Sequence, residues 1–385
     1  MLMTLASAII AGSFLISGCG GGGADDANII KIGSLQSLTG DTSTFGTSSN
    51  KGIELATEQR NKAGGVLGKQ IKIISADTQS DVRVTPQAML KLLQQDKVVA
   101  VLGEVASGRT MAASQAALDN HIPLLSPAST NEKVTKAGDY IFRSCYTDGH
   151  QGEWVAEYAA AHLGKRAALI YDTNSPYSVG LAERIKDVYP KLGGQIIFET
   201  TYAGSNTKDF KTQLTAIREK NPDVIFLPGY YQEITSLVPQ ARRELGMKDV
   251  PFIGGDGWDS EETLKADKES MNHCFFINHY ASNDPDPKVQ AFVKTFKERF
   301  NGETPDAMAV LAYDAANIMF DAISRAGSTE GPKIRDALAA TKDFQGVTGV
   351  ITIDANRNAV KPGVVLEIVN GELVLREHMA PPGVK

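Results

Sequence analysis

Three stretches of the chain hold the side chains best suited to gripping a small polar molecule. Gly103-Glu104-Val105-Ala106-Ser107-Gly108-Arg109-Thr110 follows an apolar run and opens a helical pattern. Glycine lets backbone approach a ligand closely, and free amides with the helix dipole favour an anion such as a carboxylate. Ser107 is the hydroxyl placed there, with simple helix capping as its other reading. Ser126-Pro127-Ala128-Ser129-Thr130-Asn131 offers carbonyls and hydroxyls around a fixed proline, suited to a polar head group; capping by Thr130 or Asn131 is the plainer alternative. Ile253-Gly254-Gly255-Asp256-Gly257-Trp258-Asp259 sets the Asp256 carboxylate among three glycines beside an indole, although an aspartate in a glycine turn is often only a turn residue. Tyr177, Tyr230 and Tyr231 follow apolar runs, and a facing pair of phenols suits a cleft that both stacks and hydrogen-bonds.

Catalytic patterns are missing around these groups. The chain has no Gly-x-Ser-x-Gly elbow, no Walker lysine loop and no His-x-x-x-His pair, and Gly255-x-Gly257 lacks the third glycine of a dinucleotide fingerprint. The six histidines are scattered, and His273 with His279 is the only hint of a metal site. Without a nucleophile and its base, the pattern favours binding over catalysis and calls for neither a cofactor nor a metal.

Such loops need a frame. β-branched runs at 29–35, 71–75, 98–102 and 122–125 alternate with helical patterns at 50–61, 86–95 and 109–120. The rhythm restarts with runs at 167–171, 195–199 and 223–227, separated by helices near 180–189, 210–219 and 234–245. This alternation predicts βαβ units and parallel sheets covered on both faces, so two doubly wound α/β lobes are expected, with loops converging at the carboxyl ends of the strands. Past Pro287 the pattern turns helical, with Val289, Phe292, Val293, Phe296 and Phe300 on one face and further helices at 306–325 and 333–341. The chain closes on β segments at 350–354, 364–369 and 373–376, the last two joined by Asn370-Gly371, a hairpin signal.

Composition sets the outer bounds. With 385 residues, 42% apolar and 22% charged, the chain is globular and long enough for two domains. A net charge of −6 and the lack of any cluster of five basic residues argue against nucleic acid as a partner. The apolar residues 2–16 end in Ile16-Ser17-Gly18-Cys19, too short for a span and matching the lipobox of exported bacterial lipoproteins. Residues 1–18 are therefore expected to be a signal peptide. Lipidated Cys19 would then begin the mature protein, with a flexible tether over 19–28, placing it outside the cytoplasm on a membrane. No later apolar run is expected to span one. Cys145 and Cys274 remain, either as two buried free thiols or as a disulfide pair.

Together these loops resemble the leucine/isoleucine/valine-binding protein family, the amino-acid branch of type I periplasmic binding proteins. The resemblance runs from about Ile29 to about Val369, most clearly at Gly64-Gly65-Val66-Leu67-Gly68, 126–130, Phe142-Arg143-Ser144-Cys145 with Asp148 and Gln151-Gly152, and Tyr313-Asp314-Ala315-Ala316. It implies a hinge of three crossings near Tyr146, Asn278 and Thr348, dividing the chain into 29–146 plus 279–348 and 147–278 plus 349–385, with the ligand cleft between. It further implies that Ser107 and the Thr130 amide hold an amino-acid carboxylate, that the Ala128 carbonyl, the Thr130 hydroxyl and Asp256 hold its ammonium, and that Tyr177 and Tyr230 close from the second lobe. Phe45, Tyr146, Tyr231 and Trp258 are then expected to select an apolar side chain. The well-known branched-chain binders carry glutamate where Asp256 stands, so this carboxylate reaches one methylene less far. A monomer that docks on an ABC permease is the implied working form. The alternatives are the same fold binding an amide, a urea or an aromatic acid, or serving as the ligand-sensing subunit of a receptor.

Overall fold

The computed structural model describes residues 28–204 and 207–381, so the signal, Cys19 and the tether as far as Ala27 lie outside the described residues. The first lobe is built on a parallel sheet of five strands: β1 (Ile29–Gln36), β2 (Gln70–Asp77), β3 (Ala100–Gly103), β4 (Leu124–Ser126) and β5 (Ile141–Arg143), in the order β2-β1-β3-β4-β5. Alternation along β1 sends Ile30 and Ile32 to one face and Leu35 to the other. Ile30 and Ile32 pack with Ile53 and Ala56 of the helix Ser43–Lys62 and with Phe320 and Ile323 of the helix Ala307–Ala326. Leu35 packs with Met89 and Leu92 and with Ala113 and Ala117 of the helix Ser107–Asp119. A parallel sheet covered on both faces needs apolar groups on both, which is why its strands read as nearly continuous apolar runs.

The second lobe holds β6 (Arg166–Asp172), β7 (Gln195–Tyr202), β8 (Val224–Phe226), β9 (Phe252–Gly254) and β10 (Cys274–Asn278). A small three-stranded sheet follows, of β11 (Phe344–Gly346), β12 (Gly349–Ile353) and β13 (Ala359–Val360). The closing hairpin of β14 (Gly363–Val369) and β15 (Glu372–Met379) then completes the second sheet in the order β15-β14-β10-β9-β8-β6-β7. Asn370 and Gly371 both take positive φ, 53° and 80°, the geometry that an Asn-Gly hairpin requires.

Several expectations need correction. The first helix begins at Ser43 rather than at 50, because its weak formers Ser, Thr and Gly are held by tertiary packing. At Gly46 a Cβ would run into the Ser37 backbone, so only glycine lets the helix lie this close to the end of β1. Strands β5, β9 and β10 had no clear sequence signal, being short and fully buried. Residues 349–360, expected in the second lobe, put Ile351, Ile353 and Ala359 into the first lobe's core, and the third crossing falls between Val360 and Gly363 instead of near Thr348. Cys145 and Cys274 are both free and buried, so the paired alternative is not realised. The helix Ala307–Ala326 is apolar and long enough to cross a membrane, but 78% of its most apolar window is buried in the protein, as befits a core helix.

Candidate functional site

The loops leaving β3, β4, β6, β8 and β9 meet between the lobes, where open α/β sheets bind ligands. They close around a space of only about 10 Å³ lined by Phe45, Val105, Ser107, Ala128, Tyr177, Tyr230, Asp256, Gly257 and Met308. The lobes touch around it. Tyr231 Oη donates to the Asp41 carbonyl at 2.8 Å, Asn131 Nδ2 donates to the Pro176 carbonyl at 2.6 Å, and the Phe45 ring meets Tyr231 edge-on at 4.9 Å.

On the first-lobe side, Ser107 is the first residue of its helix and makes no cap to it. Its hydroxyl oxygen accepts the Asn131 N–H at 3.1 Å, leaving the hydroxyl proton to donate into the cavity. Capping therefore does not account for Ser107. The buried Thr130 hydroxyl has no hydrogen bond of good geometry among the described residues, its nearest polar neighbour being the Asp148 carboxylate. Ser129, by contrast, is not a cavity residue. Its hydroxyl lies within hydrogen-bonding reach of the Glu104 and Val105 carbonyls, both at 2.9 Å, and of the Thr110 hydroxyl at 2.6 Å, which ties the two loops together. Beneath them the fully buried Arg143 donates to the carbonyls of Ser129 and Asn131, both at 2.7 Å, and so fixes how the loop presents Ala128 and Thr130. Glu104 and Arg109 form a buried ion pair at 2.8 Å that closes the base of the same loop, with Glu104 also accepting the Ala106 N–H.

On the second-lobe side, Tyr177 and Tyr230 stack with ring centres 5.0 Å apart and planes 10° from parallel, the facing phenols that their positions suggested. Tyr177 Oη accepts the Gly257 N–H at 3.1 Å and donates to Gln151 Oε1 at 3.3 Å, holding the turn that carries Asp256. Gly255 is required here, since a Cβ would strike Gln151 and the Tyr177 hydroxyl. Asp256 is 3% exposed and shares a hydrogen bond of 3.0 Å with His279 Nε2. His279 is fully buried, and burial drives its pKa down to about 4. His273, the other half of the metal hint, lies exposed beside Glu367.

Of the four aromatic residues expected to meet the ligand side chain, Phe45 lines the cavity and three lie elsewhere. Trp258 is entirely buried in the second-lobe core, its indole N–H donating to the Leu227 carbonyl at 3.1 Å. Tyr146 lies behind the site, stacked on His279 at 3.8 Å, with its hydroxyl unpaired. Tyr231 packs at the rim against Phe45. Sequence reasoning passed over Val105, Gly257 and Met308. The first two adjoin residues already marked, whereas Met308 opens a helix fifty residues further on and carried no local signal. Asp148 is also buried near the site; burial pushes it well above the usual carboxylate range, while the neighbouring Thr130 hydroxyl acts the other way.

The cavity thus offers a hydroxyl at a helix N-terminus on one side, a carboxylate on the other, and aromatic and aliphatic walls between them. A family described as periplasmic binding protein matches residues 29–372. Leu/Ile/Val-binding protein homolog 1 of Brucella abortus is 29% identical over 333 residues, covering 86% of this chain and 87% of the relative. Among solved structures, the leucine-binding protein LivK of Thermotoga maritima superposes with a TM-score of 0.86 at 34% identity, covering 92% of this chain and all of that one. The branched-chain amino acid transporter substrate-binding protein LivJ of Streptococcus pneumoniae, solved with isoleucine, gives the same TM-score, identity and coverage. The chain belongs to the leucine/isoleucine/valine-binding family of type I periplasmic binding proteins, the substrate-binding proteins of ABC transporters.

Proposed function

We propose that this protein is the lipid-anchored, extracytoplasmic binding component of an ABC importer and that it takes a zwitterionic amino acid with an apolar side chain: leucine, isoleucine, valine or phenylalanine. The observation that carries the reading is the single cavity that brings Ser107 and Ala128 of one lobe against Tyr177, Tyr230 and Asp256 of the other. A buried zwitterion needs both charges paired or hydrogen-bonded to offset desolvation. Ser107 and the amide of Thr130 suit the carboxylate; Asp256, the Ala128 carbonyl and the Thr130 hydroxyl suit the ammonium. Phe45, Val105 and Met308 leave no charged partner for a side chain. With a volume of only about 10 Å³ the lobes are shut on this space, so an amino acid enters only as they part. Because the clamp is divided between lobes, ligand binding favours the closed form, the form that docks on a permease.

Titration calorimetry tests this reading on the soluble form starting after Cys19, stripped of co-purified ligand by unfolding and refolding. L-leucine, isoleucine, valine and phenylalanine should bind, and removing either the ammonium or the carboxylate should weaken binding by roughly a hundredfold while leaving it measurable by displacement titration. Binding restricted to deamino acids such as benzoate would overturn the assignment of Asp256, which would then be buried without a cation.

A further inference from the structure

The sequence left His279 unused, and the structure places it directly behind Asp256. The two residues come from different segments, Asp256 from the turn after β9 and His279 from the crossing that follows β10. We propose that His279 is a positioning residue for ligand binding: as a neutral imidazole it donates from Nε2 to Asp256 Oδ2 and so holds the other carboxylate oxygen ready for the ligand's ammonium. The inference rests on the reading of Asp256 given above and adds to it the group that sets its geometry.

Four observations carry it. The Nε2–Oδ2 distance is 3.0 Å, and this is the hydrogen bond that fixes the carboxylate of a residue flanked by two glycines, whose neighbours have no side chains to steady it. His279 is fully enclosed, and its Nδ1 has no partner among the described residues. Of the two neutral tautomers, the one protonated at Nε2 leaves only an acceptor unpaired, whereas the other would bury an unpaired donor and set a bare nitrogen lone pair against a carboxylate. The imidazole cannot swing away, because Tyr146 stacks on it at 3.8 Å with planes 16° apart, and its backbone N–H is bonded to Asn278 Oδ1 at 2.8 Å. Burial opposes protonation of the ring, and the charge of the buried Lys361 acts in the same direction, against the pull of Asp256.

The placement also ties the head-group site to the hinge. Tyr146 lies at the first crossing, His279 at the second and Lys361 at the third. Asp256 is thereby bonded to the second crossing through His279, whose ring is in turn stacked on Tyr146 of the first.

The test compares wild type, His279→Ala, His279→Gln and Asp256→Ala by calorimetry with L-leucine and with 4-methylpentanoate, which is leucine without its ammonium. Losing a charge-assisted hydrogen bond should weaken leucine binding by His279→Ala roughly ten- to a hundredfold, leave 4-methylpentanoate within about twofold, and be largely rescued by glutamine, whose amide donor has similar reach. Equal losses for both ligands, or no rescue by glutamine, would mean that His279 acts only through the fold and would overturn the proposal. Unchanged leucine affinity in His279→Ala, with affinity lost in Asp256→Ala, would overturn it while leaving the amino-acid reading intact. Unchanged affinity in Asp256→Ala would overturn both. Nitrogen-15 NMR of the wild-type imidazole at neutral pH gives an independent readout that no folding defect can mask: a neutral ring protonated at Nε2 is expected, and one protonated at Nδ1, or at both nitrogens, contradicts the proposal.

Discussion

The Asp259 carboxylate accepts the backbone N–H of Ala307 at 2.8 Å. Asp259 ends the turn that begins with Asp256 in the second lobe, and Ala307 is the first residue of the core helix that packs on the first lobe's sheet. One oxygen thus satisfies a helix-end donor across the boundary between lobes and also accepts Asn278 Nδ2 at 2.8 Å. An acid at a helix N-terminus is favoured by the helix dipole as well as by the bond itself. Asp259→Ala would leave the buried Ala307 N–H without its partner, at a cost of about 1–3 kcal/mol. We expect ligand affinity to fall about tenfold or more, with Asp259→Asn closer to wild type, and small-angle scattering to show a larger radius for the alanine variant at equal ligand. Wild-type affinity and radius in Asp259→Ala would remove Asp259 from any role in closure.

The frame was legible because parallel strands buried on both faces announce themselves as short apolar runs between helices. The cavity was legible where loops at strand ends build it: Ser107, Ala128, Tyr177, Tyr230, Asp256 and Phe45 line it, whereas Ser129 and Thr130 of the same loops do not. Trp258 misled for a local reason. Two residues beyond Asp256 in a turn of about three residues, it is rotated away from the cavity and falls into the core. Met308 and His279 were illegible because nothing near them in sequence marks them; only the return of the chain across the hinge brings them to Asp256. The third crossing was misplaced because β12 and β13 carry the same alternation whichever lobe they join, and only packing of Ile351 and Ile353 decides.

Arg143 is the concealed support of the 128–131 loop. With its side chain removed, the carbonyls of Ser129 and Asn131 would lose their donors inside the protein, each at about 1–3 kcal/mol. Arg143→Met, which keeps much of the apolar stem, should lower the thermal midpoint by several degrees and weaken ligand binding, because the 128–131 loop loses its fixed form. Lysine should rescue poorly, since a single ammonium lacks the planar fork that reaches both carbonyls. Calorimetric scans with and without ligand measure both effects; an Arg143→Met variant with the wild-type midpoint would refute the account.

Met308 sets the depth of the cavity's apolar wall and is 2% exposed. Met308→Ala should weaken leucine and isoleucine binding, which lose contact, while phenylalanine gains room for its ring. A change of about 1–3 kcal/mol in relative affinity, or roughly tenfold or more in the ratio of phenylalanine to isoleucine, is expected for so large a change in pocket volume. Competition titration reads the ratio directly, and an unchanged ratio would show that Met308 does not touch the ligand side chain.

Glu233 links the Tyr230 loop to pH. Its carboxylate accepts the Tyr230 N–H at 3.0 Å, and burial, only partly offset by its backbone hydrogen bonds, raises its pKa from 4.5 to about 7. An acid whose folded-state pKa is raised is easier to keep protonated in the fold than in the unfolded chain. Its stabilising contribution is therefore complete below about pH 4.5 and is lost as pH rises through about 7, where ionisation inside the lobe must be tolerated. Relative to Glu233→Gln, which keeps an acceptor oxygen but cannot ionise, the wild type should lose of order 1–3 kcal/mol of unfolding free energy between those limits. Urea unfolding of both proteins at pH 4.5 and pH 7.5 measures the difference. The sign is the decisive part, because a wild type that gained stability over the same interval would mean that Glu233 is held as a charged acceptor and that Tyr230 is positioned by an ionised group.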